Sequence, residues 1–160
     1  MQNKQAFTLI ELLVVILIIG ILAAVAVPQY QKTIIKSRLA NMKQIVSVVK
    51  TAEEAYYLAN GAYTNDWGLL DIDLPACPPR ATNSDVLICD NYFMLDPLQG
   101  TEPNLRALYC PEGIKKKIAT ASCAEESDFI YKVWLENSEH PNQVICQGNT
   151  ALGQAVCNNF

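Results

Sequence analysis

Histidine occurs once in the 160 residues, glycine only seven times, and no cysteine precedes Cys77. Each scarcity excludes a class of chemistry. The single histidine stands in Glu139-His140-Pro141, a turn-forming context, so a Ser or Cys nucleophile would depend for its base on a residue suited to reversing the chain. No glycine-rich phosphate loop, HExxH helix or GxSxG turn occurs. No pair of cysteines has the close C-x₂₋₄-C spacing of zinc sites. The carboxylates Asp71, Asp73, Glu125, Glu126 and Asp128 read as a solvated acidic surface rather than as acid/base pairs. The sequence therefore reads as a protein that is not an enzyme, with no cofactor and no metal.

Positive charge is also scarce where a nucleic-acid site would need it. Residues 1–58 carry six Lys/Arg against three Asp/Glu, whereas residues 59–160 carry six against thirteen, so a stem of net +3 bears a head of net −7. An acidic head repels phosphate backbones, and its one basic cluster, Lys115-Lys116-Lys117, reads as a solvated turn or strand edge. Nucleic acid is not an expected partner.

The long feature that is present is apolar. Phe7 to Val27 is a run of 21 residues with one charge, Glu11, close to the roughly 20 residues a helix needs to cross about 30 Å of hydrocarbon. A carboxylate inside such a helix costs about 2.5–3.5 kcal/mol on insertion scales, so Glu11 calls for a partner. Cutting the chain between Ala6 and Phe7 would supply one, because the new α-amine of Phe7 would lie one helical turn from Glu11 on the same face.

In its first 39 residues the chain resembles the type IV pilin family: a short polar leader, a small residue, then Phe7-Thr8-Leu9-Ile10-Glu11-Leu12 and an apolar helix. The resemblance implies that a prepilin peptidase removes Met1 to Ala6 on the cytoplasmic side and methylates the Phe7 amine. Ala6 stands where that family most often has glycine. An ordinary signal peptide would use Lys4 as its positive start and Ala24-Val25-Ala26 as its cut, but the helical pattern runs through that site and Glu11 stands at the start of the apolar region. A plain single-span anchor leaves Glu11 unexplained.

Beyond the apolar run, Ile35, Leu39, Met42, Val46 and Val49 recur at steps of four and three, with Tyr56 a heptad later, which predicts one packed face on a helix from Thr8 to about Leu58. Gly20 and Pro28 mark the segment expected to bend, and the resemblance implies that it becomes extended in a filament. Asn60-Gly61 closes the helix. After a connection of nearly thirty residues, strand-like runs at 88–95, 105–110, 129–136 and 143–147 predict a four-stranded antiparallel sheet covering the helical stripe. The expected fold is α+β, type IV pilin-like, with a leader (1–6), a membrane or filament-core helix (7–28), an amphipathic helix (29–60) and a head (61–160).

Six cysteines confined to the exported part indicate disulfides. Six allow 15 connectivities. Pairing each with its neighbour in sequence gives Cys77–Cys89, Cys110–Cys123 and Cys146–Cys157, each closing a loop of about a dozen residues.

The resemblance thus implies a structural subunit of a type IV pilus, held in the bacterial inner membrane and then polymerised through its amino-terminal helix into an extracellular homo-oligomeric filament. Its implied partners are the membrane, the prepilin peptidase, the pilus assembly machinery and further copies of itself. A pseudopilin of a type II secretion machine, or a minor pilin displaying an adhesion or DNA-uptake module, are the alternative readings.

Overall fold

The structure, a computed structural model, describes residues 7–75, 77, 79–80, 83–89, 93–97, 102–110 and 127–158. Ala6 and the rest of the leader, Lys115 to Lys117 and Cys123 lie outside the described residues.

Helix α1 spans Leu9–Asn60, 52 residues and about 78 Å at 1.5 Å per residue. Its start is fixed by Thr8, which has an extended backbone and whose hydroxyl oxygen accepts the Glu11 N–H. Its end is fixed by Gly61, where a left-handed φ of 75° lets the N–H donate to the Tyr57 carbonyl at 2.7 Å. Gly20 and Pro28 both lie within the continuous helix.

The carboxy-terminal half of α1 buries Ile35, Leu39, Met42, Val46 and Val49, as the heptad pattern predicts. The next buried position is Glu53, one step of four beyond Val49, whereas Tyr56 is only half-buried. The stripe continues, but through a carboxylate.

Among the described residues six strands form one antiparallel meander in sequence order: β1 (Pro79–Arg80), β2 (Asn83–Cys89), β3 (Phe93–Pro97), β4 (Asn104–Tyr109), β5 (Phe129–Trp134) and β6 (Val144–Gly148). The run at 88–95, expected as one strand, is instead divided between β2 and β3, which pair Cys89 with Phe93. Asp90-Asn91, strongly turn-favouring residues, separates them.

One face of the sheet covers α1. Across the sheet, Phe93, Tyr109 and Phe129 stand opposite one another in register, with ring centroids 5.2 Å apart for the first pair and 5.1 Å for the second. Leu95, Ala107 and Tyr131 form the next row of that face and Leu105 pairs with Val133, all of them buried in one cluster with the α1 stripe. Arg38 of α1 reaches the middle member of the aromatic row, donating to the Tyr109 hydroxyl at 3.2 Å.

A short helix that the sequence pattern does not predict, labelled α2 among the described residues (Ala151–Cys157), starts at Thr150, whose hydroxyl accepts the Gly153 N–H at 3.1 Å. It sits directly on the sheet. A Cβ on Gly153 would come 1.8 Å from the Asp128 carbonyl oxygen, and one on Gly148 2.2 Å from the Gln154 nitrogen, so the close approach requires glycine at both positions. Asp128 secures the junction, its carbonyl accepting the Asn149 N–H and its carboxylate the Thr150 hydroxyl.

Candidate functional site

The amino-terminal end of α1 carries a reciprocal cap. The Glu11 carboxylate accepts the Thr8 N–H at 2.8 Å and the Thr8 hydroxyl at 2.7 Å, while the Glu11 N–H donates to the Thr8 hydroxyl oxygen at 3.3 Å. In the uncut chain the partner of Glu11 is therefore Thr8, immediately after Phe7. The pattern Thr-x-x-Glu before an apolar run is a capping-box signature that the sequence reading passed over. It holds the carboxylate against the first turn, beside the position where cleavage would place an amine.

The segment that follows has no cover from its own head. Phe7 is 90% exposed, and the large apolar residues from Leu9 to Val27 range from 45% to 89%. By length and composition this part of α1 can cross a membrane, and its apolar stretch is not buried within the chain. A contiguous apolar surface of this extent marks an interaction surface. A Cβ on Gly20 would meet nothing within 4 Å, so this glycine leaves a notch on the exposed rod, not a contact inside the chain.

The far end of α1 is tied to the loops by polar side chains. The Glu54 carboxylate accepts the Glu136 N–H at 2.6 Å and the Tyr63 hydroxyl at 2.9 Å, and the Tyr63 oxygen in turn accepts the Asn137 N–H at 3.2 Å. Tyr57 packs on Tyr63 with ring centroids 4.5 Å apart and bonds the Asn137 side chain, while Lys50 bonds that of Asn142. Burial pushes the Tyr63 hydroxyl up to about 12.

Glu53 faces the other way, into the core. It is fully buried, one oxygen accepting the Thr64 N–H at 3.2 Å and the other having no hydrogen-bond partner among the described residues. Burial pushes its carboxyl up to about 7, against the opposing pull of the Thr64 N–H and with a further push from the neighbouring Glu54 charge. Its place on the stripe, four residues after Val49, was the available signal.

The cysteines hold the head's edges. Cys77 is bonded to Cys89, joining the long connection to β2, and Cys146 to Cys157, joining β6 to α2. Cys110 is buried just beyond β4, and the residue expected to pair with it, Cys123, is outside the described residues. His140 is exposed in the β5–β6 connection with its ring edge-on to Trp134 at 5.7 Å. Among the described residues no group of three or more His, Cys, Asp or Glu is placed to hold a metal ion.

An exposed helix of membrane-spanning length continuous with a disulfide-bonded helix-on-sheet head is an α+β arrangement of the type IV pilin kind. A family model for the prokaryotic N-terminal methylation motif matches residues 1–27. The chain is 47% identical over 58 residues to a fimbrial protein of Pseudomonas aeruginosa, covering 36% of this chain and 38% of that protein. It is 46% identical over 55 residues to the type IV major fimbrial protein FimA of Dichelobacter nodosus, covering 34% and 35%. To the type IV major pilin protein PilE of Neisseria gonorrhoeae it is 41% identical over 63 residues, covering 39% and 38%. The chain thus spans well under half the length of the curated relatives it matches. No solved structure matches it. By its amino-terminal motif, these relatives and its α+β architecture, the chain is similar to type IV pilins.

Proposed function

We propose that this chain is a structural subunit of a type IV pilus, held in the bacterial inner membrane by residues 7–28 and polymerised through them after its leader is removed. The observation that carries the reading is the exposed apolar half of α1, joined without a break to a half that its own head covers. The exposed half needs a cover, and bilayer followed by the helices of neighbouring copies supplies one at each stage. Relatives named as type IV major pilins support the same role.

In this reading the prepilin peptidase cuts between Ala6 and Phe7 and methylates the Phe7 amine. Glu11 already presents its carboxylate to Thr8, the residue after Phe7, and two bonds to a charged acceptor offset part of its burial cost. In the filament the remaining cost is met by the Phe7 amine of an adjacent copy. The Gly20–Pro28 segment, helical in the single chain, becomes extended when copies pack. The assembly machinery receives the subunit from the membrane, and the acidic head forms the filament surface. The Cys146–Cys157 loop supports a pilus over a secretion pseudopilus.

The test is Glu11→Ala, followed by membrane fractionation and by the yield of filaments sheared from cells. The variant stays in the membrane, since the apolar span is intact, while filament yield falls sharply. Unchanged yield would contradict the role given to Glu11.

A further inference from the structure

Glu53 makes a single side-chain hydrogen bond among the described residues, and that bond is directed at the connection between α1 and β1: one oxygen accepts the Thr64 N–H at 3.2 Å, while the other is buried without a partner. A carboxyl in that setting is tolerated when neutral and costly when ionised, because nothing replaces the water a charged oxygen gives up. The charges around it offer no relief. On α1 the neighbouring Glu54 repels it, and the Lys50 amine is bonded to Asn142. From the connection, the Tyr63 hydroxyl is committed to Glu54, and Asp66 accepts the Gly68 N–H. From the β5–β6 connection, the Glu136 and Asn137 N–H groups go to Glu54 and Tyr63, and His140 is exposed against Trp134. In the sheet, Arg106 and Lys132 pair on the face turned away from α1. Assembly through residues 7–28 makes no use of this carboxyl.

Of the elements around Glu53, the connection is the one that can yield. Helix α1 is continuous and clamped through its stripe, and β4 and β5 are interior strands of the sheet. The connection runs between two fixed points, the left-handed Gly61 that ends α1 and the Cys77–Cys89 disulfide. Between them its packing is incomplete: a depression of about 390 Å³ lined by Trp67, Ile72, Leu74 and Leu87 borders it, and Leu69 is exposed. Segments packed in this way open locally at less cost than a domain unfolds. We propose that Glu53 is a proton-operated latch: neutral, it holds the connection on α1 through Thr64, and on losing its proton to solvent it drives residues 62–74 to open so that water reaches the carboxylate. Burial raises its carboxyl to about 7 while the connection is closed, against 4.5 once it is open, so opening becomes easier as pH rises between those values and levels off above them.

Amide hydrogen exchange tests this on the full chain in non-ionic detergent micelles, followed by nuclear magnetic resonance at about pH 5 and about pH 8 and corrected for the intrinsic pH dependence of exchange. Thr64 and Leu70 report on the connection, Ala107 and Tyr131 on the central strands. Corrected exchange at Thr64 and Leu70 is faster at the higher pH by about tenfold or more, through an opening that leaves Ala107 and Tyr131 protected. Glu53→Gln, which keeps the acceptor for Thr64 and is neutral at both pH values, abolishes the difference. The wild-type arms decide the case even where the variant folds poorly. A change below about tenfold, exchange of the connection only together with the central strands, or an equal change in Glu53→Gln would overturn the proposal.

Discussion

Along one continuous helix, residues 7–28 expose almost every apolar side chain, whereas residues 35–53 bury one side in register against a six-stranded sheet. Each half also holds a carboxylate, and the contrast between the two shows how environment sets its task. Glu11 lies at the helix start with Thr8 as a double donor, arranged for burial under some cover other than its own head. Glu53 is already buried, short of one hydrogen bond, and its carboxyl is raised to about 7. The first half has no cover within the chain, whereas the second is covered by its own head. Substitutions in the two halves should therefore fail in different assays.

The largest separation is expected from charge in the exposed half. Val15→Asp, Ile18→Asp or Ile19→Asp each adds a burial cost of about 2.5–3.5 kcal/mol on insertion scales, and filaments should be abolished while the head keeps its thermal transition. Head-stripe truncation should do the reverse in kind. Met42→Ala, at a side chain 1% exposed, should lower head stability by about 2–5 kcal/mol in denaturant unfolding. Opening the carboxy-terminal loop with Cys146→Ala plus Cys157→Ala should cost about 3 kcal/mol, read by the same unfolding curve.

Glu53 sharpens the comparison through pH. Its folded value of about 7 lies above the ordinary 4.5, so between these limits the folded head binds a proton that the unfolded chain releases. Its contribution is fully present below about 4.5, declines as pH rises, and is gone above about 7. The melting temperature should thus carry a component that falls between those limits, and Glu53→Gln should remove it. The smallest effect is expected at exposed Asp71, where Asp71→Asn should change stability by under about 0.5 kcal/mol.

These contrasts were unequally legible in the sequence. The apolar run, the stripe from Ile35 to Val49 and the glycine-closed end of α1 follow from periodicity and backbone preference, which act locally. Glu53 was hidden because a carboxylate reads as solvent-facing unless its place on the stripe outweighs its polarity. The run 88–95 is divided between β2 and β3, and Asp90-Asn91 was the turn-favouring signal its sequence offered. Helix α2 is seven residues long, too short for a periodic signal, and its seat depends on Asp128, 22 residues before its cap Thr150. At the candidate site the order was reversed: a local signature, Thr8-x-x-Glu11, was present and names the partner of Glu11 in the uncut chain.

The central claim is that the exposed half of α1 becomes the assembling element once the chain is cut before Phe7. Mass spectrometry of protein sheared from cell surfaces tests it most directly. The account predicts a chain beginning at Phe7 with a methylated amine; surface protein beginning at Val27, or still carrying Met1 to Ala6, would contradict it.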